Sequence, residues 1–283
     1  MPALSDRTIL ITGATDGLGR GVAERLAGAG ATVLLHGRNT VRFEAAASQI
    51  VSATGNDRVQ TFLADFADLN QVRCMAQAVR DRVPHLHVLI NNAGIGSGLP
   101  EGRGRQTSSD GYELRFAVNH LAGFLLTLEL LPLLHASAPA RVVFVASLGQ
   151  QAIDFADVML EDGYSGTRAY NQSKLAQIMT CFELASLLPA DEVAFTSLHP
   201  GTYMPTKMVL EELGTSVDSL EDGIDATVRL AVSPDLDGIT GRFYNQQREA
   251  RANGQAHDAR ARRRLWDISL ELTGANPPSG DGR

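Results

Sequence analysis

Three side chains in the second half of the chain have the chemistry to move a proton to or from an oxygen atom: Ser147, Tyr170 and Lys174. Tyr170 and Lys174 are four residues apart, so on a helix they share one face. A tyrosine of ordinary pKa, about 10, is a poor acid at neutral pH, but a neighbouring ammonium lowers that pKa because it favours the phenolate. The pair is suited to general acid–base catalysis, and a nearby serine hydroxyl would orient the reacting oxygen. Tyrosine and lysine at this spacing are also common on solvated helices, so the pair alone is weak evidence.

A glycine-rich turn near the start of the chain has the composition of a phosphate-binding loop. Residues 12–19 follow the short apolar stretch 8–11 and precede a helical pattern over 20–26. The glycines of this turn allow positive φ angles or close approach to a ligand, and N–H groups at the start of a helix bind a pyrophosphate well. Glycine for geometry alone is the alternative, but the position in a strand–helix–strand unit favours a dinucleotide.

Composition and charge exclude several classes of protein. The 283 residues, 44% of them hydrophobic, are enough for one α/β domain with a large core, and a net charge of −7 argues against nucleic-acid binding. Cys74 and Cys181 stand in apolar, helix-like runs, which predicts buried thiols and no disulfide or metal site. The chain reaches a predicted strand by residue 8 and has no run of 18 apolar residues. We therefore expect a cytoplasmic protein with no signal peptide and no membrane contact.

Short apolar segments alternate with helical patterns along the chain. The predicted strands are 8–11, 32–35, 59–64, 88–90, 142–145, 193–198 and 242–244, and the predicted helices are 20–26, 43–51, 69–83, 113–134, 170–188 and 222–232. This alternation requires parallel pairing with right-handed crossovers. It predicts a single α/β domain over 1–275, a doubly wound Rossmann-type sheet of about seven parallel strands with helices on both faces. We expect the arginine-rich end of this domain to dock through its apolar residues, and 276–283 to be a disordered tail.

Four of the predicted strands end in polar or glycine-containing tips: residues 12–19, 91–94, Ser147 and 200–201. The carboxyl ends of parallel strands lie at one edge of the sheet, so we expect these tips to meet in one cleft. For 91–94, Asn-Asn-Ala-Gly, a simple turn is the alternative. Residues 202–220 follow a strand end and lack a clear period, which favours a substrate lid.

The motifs occur in a definite order along the chain: Thr12, Gly13, Gly17 and Gly19, then Asp65, then Asn91, Ala93 and Gly94, then Asn119, Ser147, Tyr170 and Lys174, then Pro200, Gly201 and Thr206. In this order they resemble the short-chain dehydrogenase/reductase family over essentially the whole ordered length. The resemblance implies an oxidoreductase that transfers hydride between a nicotinamide and a carbonyl or alcohol carbon. Two alternatives on the same fold are a non-redox enzyme, for dehydration or cyclisation, and a cofactor-binding regulator.

The resemblance also implies a role for each catalytic residue. Tyr170 would be the general acid in reduction and the general base in oxidation. Lys174 would lower the pKa of Tyr170 and bind the nicotinamide ribose. Ser147 would polarise the substrate oxygen, and Asn119 would hold a water that relays protons to Lys174. For Asn119 alone, a polar residue at a local backbone defect of a helix is the alternative.

Cofactor contacts follow from the same resemblance. Asp65 would contact the adenine, and Pro200, Gly201 and Thr206 would line the nicotinamide and its carboxamide. The full predicted cofactor site is Thr12, Gly13, Thr15, Asp16, Gly17, Leu18, Gly19, Arg38, Asp65, Phe66, Asn91, Ala93, Gly94, Tyr170, Lys174, Pro200, Gly201 and Thr206.

The end of the second predicted strand decides the expected cofactor. A carboxylate there would bind the ribose 2′-OH of NAD(H), whereas this chain has Gly37 and Arg38. The planar guanidinium of Arg38 can bind a 2′-phosphate, so NADP(H) is predicted to be preferred, with NAD(H) as the alternative. Asp16 departs from the basic residue that many NADP-preferring relatives carry before Gly17, and Thr15 is a second candidate for the phosphate.

The loop between Ser147 and Tyr170 has 22 residues, more than in most of the family. It resembles the loop of the retinol-dehydrogenase-like and WW-domain-oxidoreductase-like branch, which implies a small apolar carbonyl or alcohol substrate. Apolar residues within 153–160 and 203–210 would either wall a substrate pocket or pack on the domain, and the sequence favours neither.

Two helices, over 113–134 and around Tyr170, resemble the family's dimerisation pair. A homodimer or homotetramer is therefore expected. A monomer is the alternative, because longer relatives sometimes cover this face.

Overall fold

Within residues 3–98, 104–206, 209–210 and 214–278, which the computed structural model describes, eight strands form one sheet. The strands are β1 (Thr8–Ile11), β2 (Thr32–Gly37), β3 (Val59–Leu63), β4 (Val88–Asn91), β5 (Ala140–Val145), β6 (Val193–His199), β7 (Arg242–Asn245) and β8 (Arg248–Ala250). Their order is β3-β2-β1-β4-β5-β6-β7-β8. All pairs from β3 to β7 are parallel, which confirms the predicted doubly wound sheet.

The last strand, β8, is an addition to the predicted seven. It pairs antiparallel with β7, with Asn245 opposite Arg248, and Gln246 in the connecting turn has a φ of 52°. β8 has only three residues, Arg-Glu-Ala, at the edge of the sheet. No alternation of apolar and polar residues marks so short a strand in the sequence.

Eight α-helices flank the sheet in the described part of the chain. They are α1 (Gly17–Gly28), α2 (Thr40–Thr54), α3 (Leu69–Arg82), α4 (Ala122–Ala136), α5 (Gly166–Leu187), α6 (Leu220–Val232), α7 (Gly254–His257) and α8 (Ala259–Thr273). Asp68 caps the start of α3, since its carboxylate accepts hydrogen bonds from the N–H groups of Asn70 and Gln71. α5 begins four residues before its predicted start because the Ser165 side chain caps it, accepting from the Arg168 N–H.

Alternate residues of each strand face two separate apolar layers. Leu10, Leu34 and Leu89 belong to the layer covered by α3, α4, α5 and α8. Ile9 and Ile11 belong to the layer covered by α1, α2 and α6. Because both faces of the sheet are covered, its inner strands are apolar on both sides, as parallel strands usually are.

The predicted helix over 113–134 is continuous from Leu114 to Ala136 but changes its winding. Phe116–Leu121 is a π-helical turn, in which the Ala122 N–H donates to the Ala117 oxygen, five residues back. Such a turn inside an α-helix is often a functional feature. Phe116–Ala136 is also long and apolar enough to span a bilayer, but 83% of its apolar window is buried inside the domain, and core helices of soluble proteins have the same composition.

The helix α8 lies across α5 and the π-helical turn. Trp266, only 2% exposed, packs edge-on against Phe124 of α4 with the ring centroids 5.1 Å apart. His120 of the π-helical turn and Ser269 of α8 share a hydrogen bond of 2.8 Å. The apolar side of α8 therefore docks as predicted, and it covers helices that the resemblance assigned to self-association.

Cys74 contradicts the prediction of two buried thiols: it is exposed, whereas Cys181 is buried. The reason is the amphipathic winding of α3, whose buried stripe includes Val72, Met75 and Val79 and passes beside position 74. Residues 207–208 and 211–213 of the predicted lid, and 279–283 of the predicted tail, lie outside the described residues.

Candidate active site

The four predicted tips follow β1, β4, β5 and β6, which are consecutive in the sheet. At these ends Ile11 of β1 pairs with Ile90 of β4. Val145, the last residue of β5, pairs with Leu198 of β6. The tips therefore share one edge, as the sequence predicts. Strand order reverses between β1 and β4, and open α/β sheets bind ligands at such a point.

A buried threonine joins the first two tips. The Thr12 hydroxyl accepts hydrogen bonds from the N–H groups of Asn92 and Ala93, each 2.9 Å long. The Asn92 side-chain amide donates to the carbonyl oxygens of Thr12 and Gly13, at 2.8 and 3.1 Å. Asn92 is absent from the predicted site, although the doubled asparagine of 91–94 is the signal that points to it.

Asn91 is predicted to bind the cofactor, and in the structure its side chain contacts α4. Its Nδ2 donates to Thr127 Oγ1 of α4 at 2.9 Å. Its Oδ1 is buried and has no hydrogen-bond partner within the described ranges. The Asn91 side chain thus joins β4 to α4.

A second residue that sequence reasoning missed is His36 of β2, which holds the glycine turn from the side. Its Nδ1 accepts a hydrogen bond from the Gly13 N–H at 3.1 Å, and its Nε2 lies 3.0 Å from the Ala64 oxygen. Burial lowers the pKa of His36 to about 4. The ring is therefore neutral, with the proton on Nε2. It stacks on Phe66, a predicted cofactor residue, at a centroid distance of 4.2 Å.

The glycine turn has the shape that a pyrophosphate requires. Gly13 and Gly17 have φ angles of 66° and 52°, a region that side chains disfavour. A Cβ on Gly19 would collide with the Gly13 oxygen, so this glycine permits the packing of α1 on β1. A Cβ on Gly17 would lie 3.1 Å from Thr206 Cγ2, which places this residue of the predicted lid segment opposite the turn.

The donor set of this turn also fits an anion. The first N–H groups of α1 have no acceptor within the helix, and the helix dipole favours negative charge there. The exposed Asp16 carboxylate caps the start of α1, where it accepts a hydrogen bond from the Gly17 N–H at 2.7 Å.

The corner predicted to select the cofactor is formed by the end of β2 and the glycine turn. A Cβ on Gly37 would lie 2.5 Å from Thr15 Cγ2, so these two residues are in close contact. Arg38, the next residue, is exposed. Asp65 follows β3 nearby and accepts a hydrogen bond from the Ala67 N–H at 2.9 Å. Thr15 and Arg38 therefore flank one corner of the sheet edge.

Lys174 is the one lysine among the described residues, and it is only 5% exposed. Its Nζ donates to the Val145 oxygen at the end of β5, at 2.9 Å, and lies 5.7 Å from the centroid of the Tyr170 ring. Burial lowers the pKa of Lys174 to about 8. A Cβ on Gly94 would lie 3.4 Å from Nζ, so the β4 tip closes over the ammonium.

Asn119 lies in the π-helical turn and is fully buried. Its Oδ1 accepts from the Ile95 N–H at 2.7 Å, and its Nδ2 donates to the Ile95 oxygen and to Ser173 Oγ, at 3.1 and 2.9 Å. A Cβ on Gly94 would lie 3.1 Å from the same Oδ1. Asn119 thus binds the β4 tip to α5 beside Lys174.

Ser147 lies two residues after the end of β5, and its Oγ accepts a hydrogen bond from the Gly149 N–H at 3.0 Å. A Cβ on Gly149 would lie 2.6 Å from Asn171 Oδ1, so this turn packs against the start of α5. Tyr170, in the same turn of α5, is half-buried. The structure therefore brings Ser147, Tyr170 and Lys174 to the end of one strand.

The described ends of the lid segment are joined by Asp218, which sequence reasoning missed. Asp218 Oδ2 accepts from the Thr202 N–H at 2.6 Å, and the Asp218 N–H donates to the Thr202 oxygen at 3.0 Å. His199, whose pKa burial lowers to about 4, lies with Nε2 3.1 Å from Thr202 Oγ1. Tyr203 has a φ of 46° and is exposed, while Met204 is buried.

The apolar residues of 153–160 lie against the rest of the domain. Ile153 and Leu160 are buried in the core, and Phe155 packs under the Arg264 guanidinium at 4.8 Å. The loop therefore packs on the domain. Leu148, next to Ser147, remains exposed, as do Tyr203 and Leu210 of the lid, whereas Met208 lies outside the described residues.

A family model described as short chain dehydrogenase matches residues 7–214. Retinol dehydrogenase 14 of Mus musculus is 36% identical to the chain over an alignment that covers 95% of this chain and 86% of the relative. Polyprenol dehydrogenase of Mus musculus is also 36% identical, with 100% and 88% covered.

Two solved structures are similar over most of their length. An uncharacterized protein from Mycobacterium paratuberculosis has a TM-score of 0.78 and 31% identity, with 98% of this chain and 97% of that chain covered. A short chain dehydrogenase from Escherichia coli in complex with NADPH has a TM-score of 0.70 and 28% identity, with 87% and 100% covered.

The buried ammonium of Lys174 yields a prediction about stability. Its pKa is about 8 in the folded protein against 10.5 for the ordinary group. Below pH 8 the folded state therefore carries a charge that costs about 3 kcal/mol. Between pH 8 and 10.5 the unfolded chain binds more protons, so the free energy of unfolding rises with pH. We expect Lys174→Met to raise the free energy of unfolding at pH 7 by roughly 1–3 kcal/mol, a gain that shrinks above pH 8.

Urea unfolding from pH 6 to pH 10.5 measures this effect. Arg260→Met removes the same charge from the exposed side of α8 and should change the free energy of unfolding by less than about 0.5 kcal/mol throughout. A Lys174→Met protein that is less stable than the wild type at pH 7 would contradict the prediction.

Proposed function

The chain belongs to the short-chain dehydrogenase family, and on this premise we propose that it is an NADP(H)-dependent oxidoreductase acting on a carbonyl or alcohol carbon of a small apolar molecule. The observation that carries the proposal is the buried ammonium of Lys174 beside the Tyr170 ring, at the sheet edge that also holds the glycine turn. Groups for proton transfer and for dinucleotide binding therefore share one cleft.

In the proposed reaction the protein transfers one proton and the cofactor transfers the hydride. When bound, the nicotinamide supplies or accepts the hydride. Tyr170 donates the proton of its hydroxyl to the carbonyl oxygen in reduction and accepts it from the alcohol in oxidation. The ammonium of Lys174, held at the end of β5, favours the phenolate and so brings this exchange toward neutral pH.

Ser147 and Asn119 prepare the site for this step. Ser147 Oγ accepts from the Gly149 N–H, which leaves its own O–H as a donor, and we propose that it donates to the substrate oxygen. Asn119 holds Ile95 and Ser173 and thereby the backbone around Lys174. We also propose that Asn119 holds a water that relays protons to Lys174, as the resemblance implies.

NADP(H) is the proposed cofactor because Arg38 and Thr15 flank the corner after β2. A guanidinium and a hydroxyl suit a 2′-phosphate, whereas no carboxylate stands at the end of this strand to bind a 2′-OH. A short chain dehydrogenase similar to this chain binds NADPH, which supports the choice.

An apolar substrate is supported by two observations. Retinol dehydrogenase 14 and polyprenol dehydrogenase, both similar to this chain, are named for apolar alcohols. Leu148 is exposed next to Ser147, and Tyr203 and Leu210 are exposed in the segment opposite the glycine turn. Exposed apolar side chains beside a polar reacting group suit a substrate with one oxygen and an apolar body.

We also propose a monomer located in the cytoplasm. An oligomer built on α4 and α5 would need the surface that α8 covers with Trp266. The free, exposed thiol of Cys74 is compatible with a reducing compartment.

The role of Tyr170 can be tested by Tyr170→Phe, which keeps the ring and removes the hydroxyl. We expect turnover to fall by about 10²–10⁴-fold, with the Kd of NADPH unchanged, since the proton donor is lost and the glycine turn is intact. NADPH absorbance with a panel of apolar aldehydes and ketones measures turnover. Tyr112→Phe is the control, because its hydroxyl donates to the Leu272 oxygen of α8, and it should retain activity.

Loss of NADPH binding in Tyr170→Phe equal to the loss of turnover would contradict the role of the hydroxyl. A wild-type protein that binds NADPH but never consumes it would instead favour a non-redox enzyme or a regulator.

Cofactor preference can be tested by Arg38→Asp. We expect the Kd of NADPH to rise by roughly tenfold to a hundredfold and that of NADH to fall, because the new carboxylate repels a 2′-phosphate and accepts from a 2′-OH. Fluorescence titration with both cofactors measures this change. Arg42→Asp makes the same charge change four residues later, in the first turn of α2. An equal effect there would mean that the general positive field, not Arg38, selects the cofactor.

The oligomeric state can be tested by sedimentation velocity of the full chain. We expect a single species of 30.3 kDa at micromolar concentration, because α8 occupies the α4 and α5 surface. A concentration-dependent dimer in the wild type would contradict the monomer.

A further inference from the structure

A buried cluster of charged and phenolic side chains lies outside the residues described so far. It consists of Glu113, Arg115 and Tyr164. Glu113 and Arg115 are 1% and 2% exposed, and their charged groups approach to 3.7 Å. Tyr164 Oη accepts from Arg115 Nη1 at 2.7 Å and donates to Glu113 Oε1 at 3.1 Å. Each member therefore contacts the other two.

Arg115 uses the rest of its guanidinium on the chain that follows β4. Its Nε donates to the Gly96 oxygen and its Nη2 to the Ser97 oxygen, both at 2.9 Å. These residues continue directly from Gly94, which closes over Lys174, and from Ile95, which Asn119 holds. The cluster thus anchors the far side of the β4 tip.

Glu113 connects the cluster to the π-helical turn. Its Oε2 accepts from the N–H of Phe116, the first residue of that turn, at 2.7 Å. Asn119 lies three residues further on. A displacement of Glu113 would therefore change the start of the turn that carries Asn119.

Tyr164 connects the cluster to the helix of the catalytic tyrosine. It precedes α5 by two residues and Tyr170 by six. Gly166 begins α5, and a Cβ at this position would overlap with the same Ser97 oxygen that Arg115 holds. The chain after β4 therefore contacts the start of α5 at the Ser97 oxygen, and the Arg115 guanidinium holds this oxygen in place.

We propose that Arg115, with Glu113 and Tyr164, is a positioning group that sets the place of Tyr170 relative to Lys174 and Asn119. A buried ion pair seldom stabilises a fold more than apolar residues of similar volume would. A planar guanidinium with several fixed donors, by contrast, can hold three chain segments in one geometry. The inference rests on the proposed oxidoreductase function.

Arg115→Lys tests this role, because it keeps the charge and loses the fork of donors. We expect kcat for reduction of nonanal by NADPH to fall on the order of 10²-fold, the effect of a shift of about 1 Å in a reacting group. The Kd of NADPH should rise by a smaller factor than kcat falls, since the glycine turn is not touched. Glu113→Gln and Tyr164→Phe should lower kcat by smaller factors.

Arg141→Lys is the matched control. Arg141 is also buried, and its guanidinium donates to the Leu230 and Ser233 oxygens and to Asp237. It lies at the other end of β5, about 20 Å along the strand from Ser147. This variant should lower Tm without changing kcat at temperatures below the transition.

Hydrogen exchange gives a readout that needs no turnover. In Arg115→Lys the amides of 93–97 and 116–121 should exchange at least tenfold faster, whereas in Arg141→Lys they should keep the wild-type rate. Arg115→Lys with normal kcat, or with unchanged exchange at these amides, would overturn the positioning role, as would equal losses of kcat in both variants. A wild type that never oxidises NADPH would refute the proposed function, while the exchange rates would still decide the inference.

Discussion

The ammonium of Lys174 is held out of water, and much of the architecture around the cleft serves to keep it there. Its Nζ donates a hydrogen bond to the Val145 oxygen, so the end of β5 and the helix α5 must stay in register. Burial brings the pKa of this lysine down to about 8. A group that costs stability in this way is typical of a functional site, where the energy is recovered in binding or catalysis and not in folding.

The cleft is assembled by polar contacts between chain segments that are distant in sequence. Thr12 and Asn92 join β1 to the β4 tip, Asn119 joins that tip to α5, and Asp218 joins both described ends of the lid. Arg115 adds hydrogen bonds to the Gly96 and Ser97 oxygens, in the chain that follows the β4 tip. Buried hydrogen bonds of this kind are directional, so together they specify one arrangement of four strand ends that apolar packing alone would leave loose.

The C-terminal helix α8 links the cleft to the outside of the domain. Its Ser269 bonds to His120, the residue after Asn119, and its Trp266 packs on Phe124 in the same long helix. The π-helical turn is therefore held between the β4 tip on one side and α8 on the other.

The sequence by itself determined the seven parallel strands and the polar tips that meet at one edge of the sheet, because apolar periodicity and local motifs depend on neighbouring residues. It indicated Tyr170 and Lys174 through their spacing on one helix. Only the tertiary structure decided the placement of Asn92 and Arg115, whose partners lie in other strands and loops, and the covering of α4 by α8. Such contacts depend on which surfaces meet in three dimensions, and no local pattern records that.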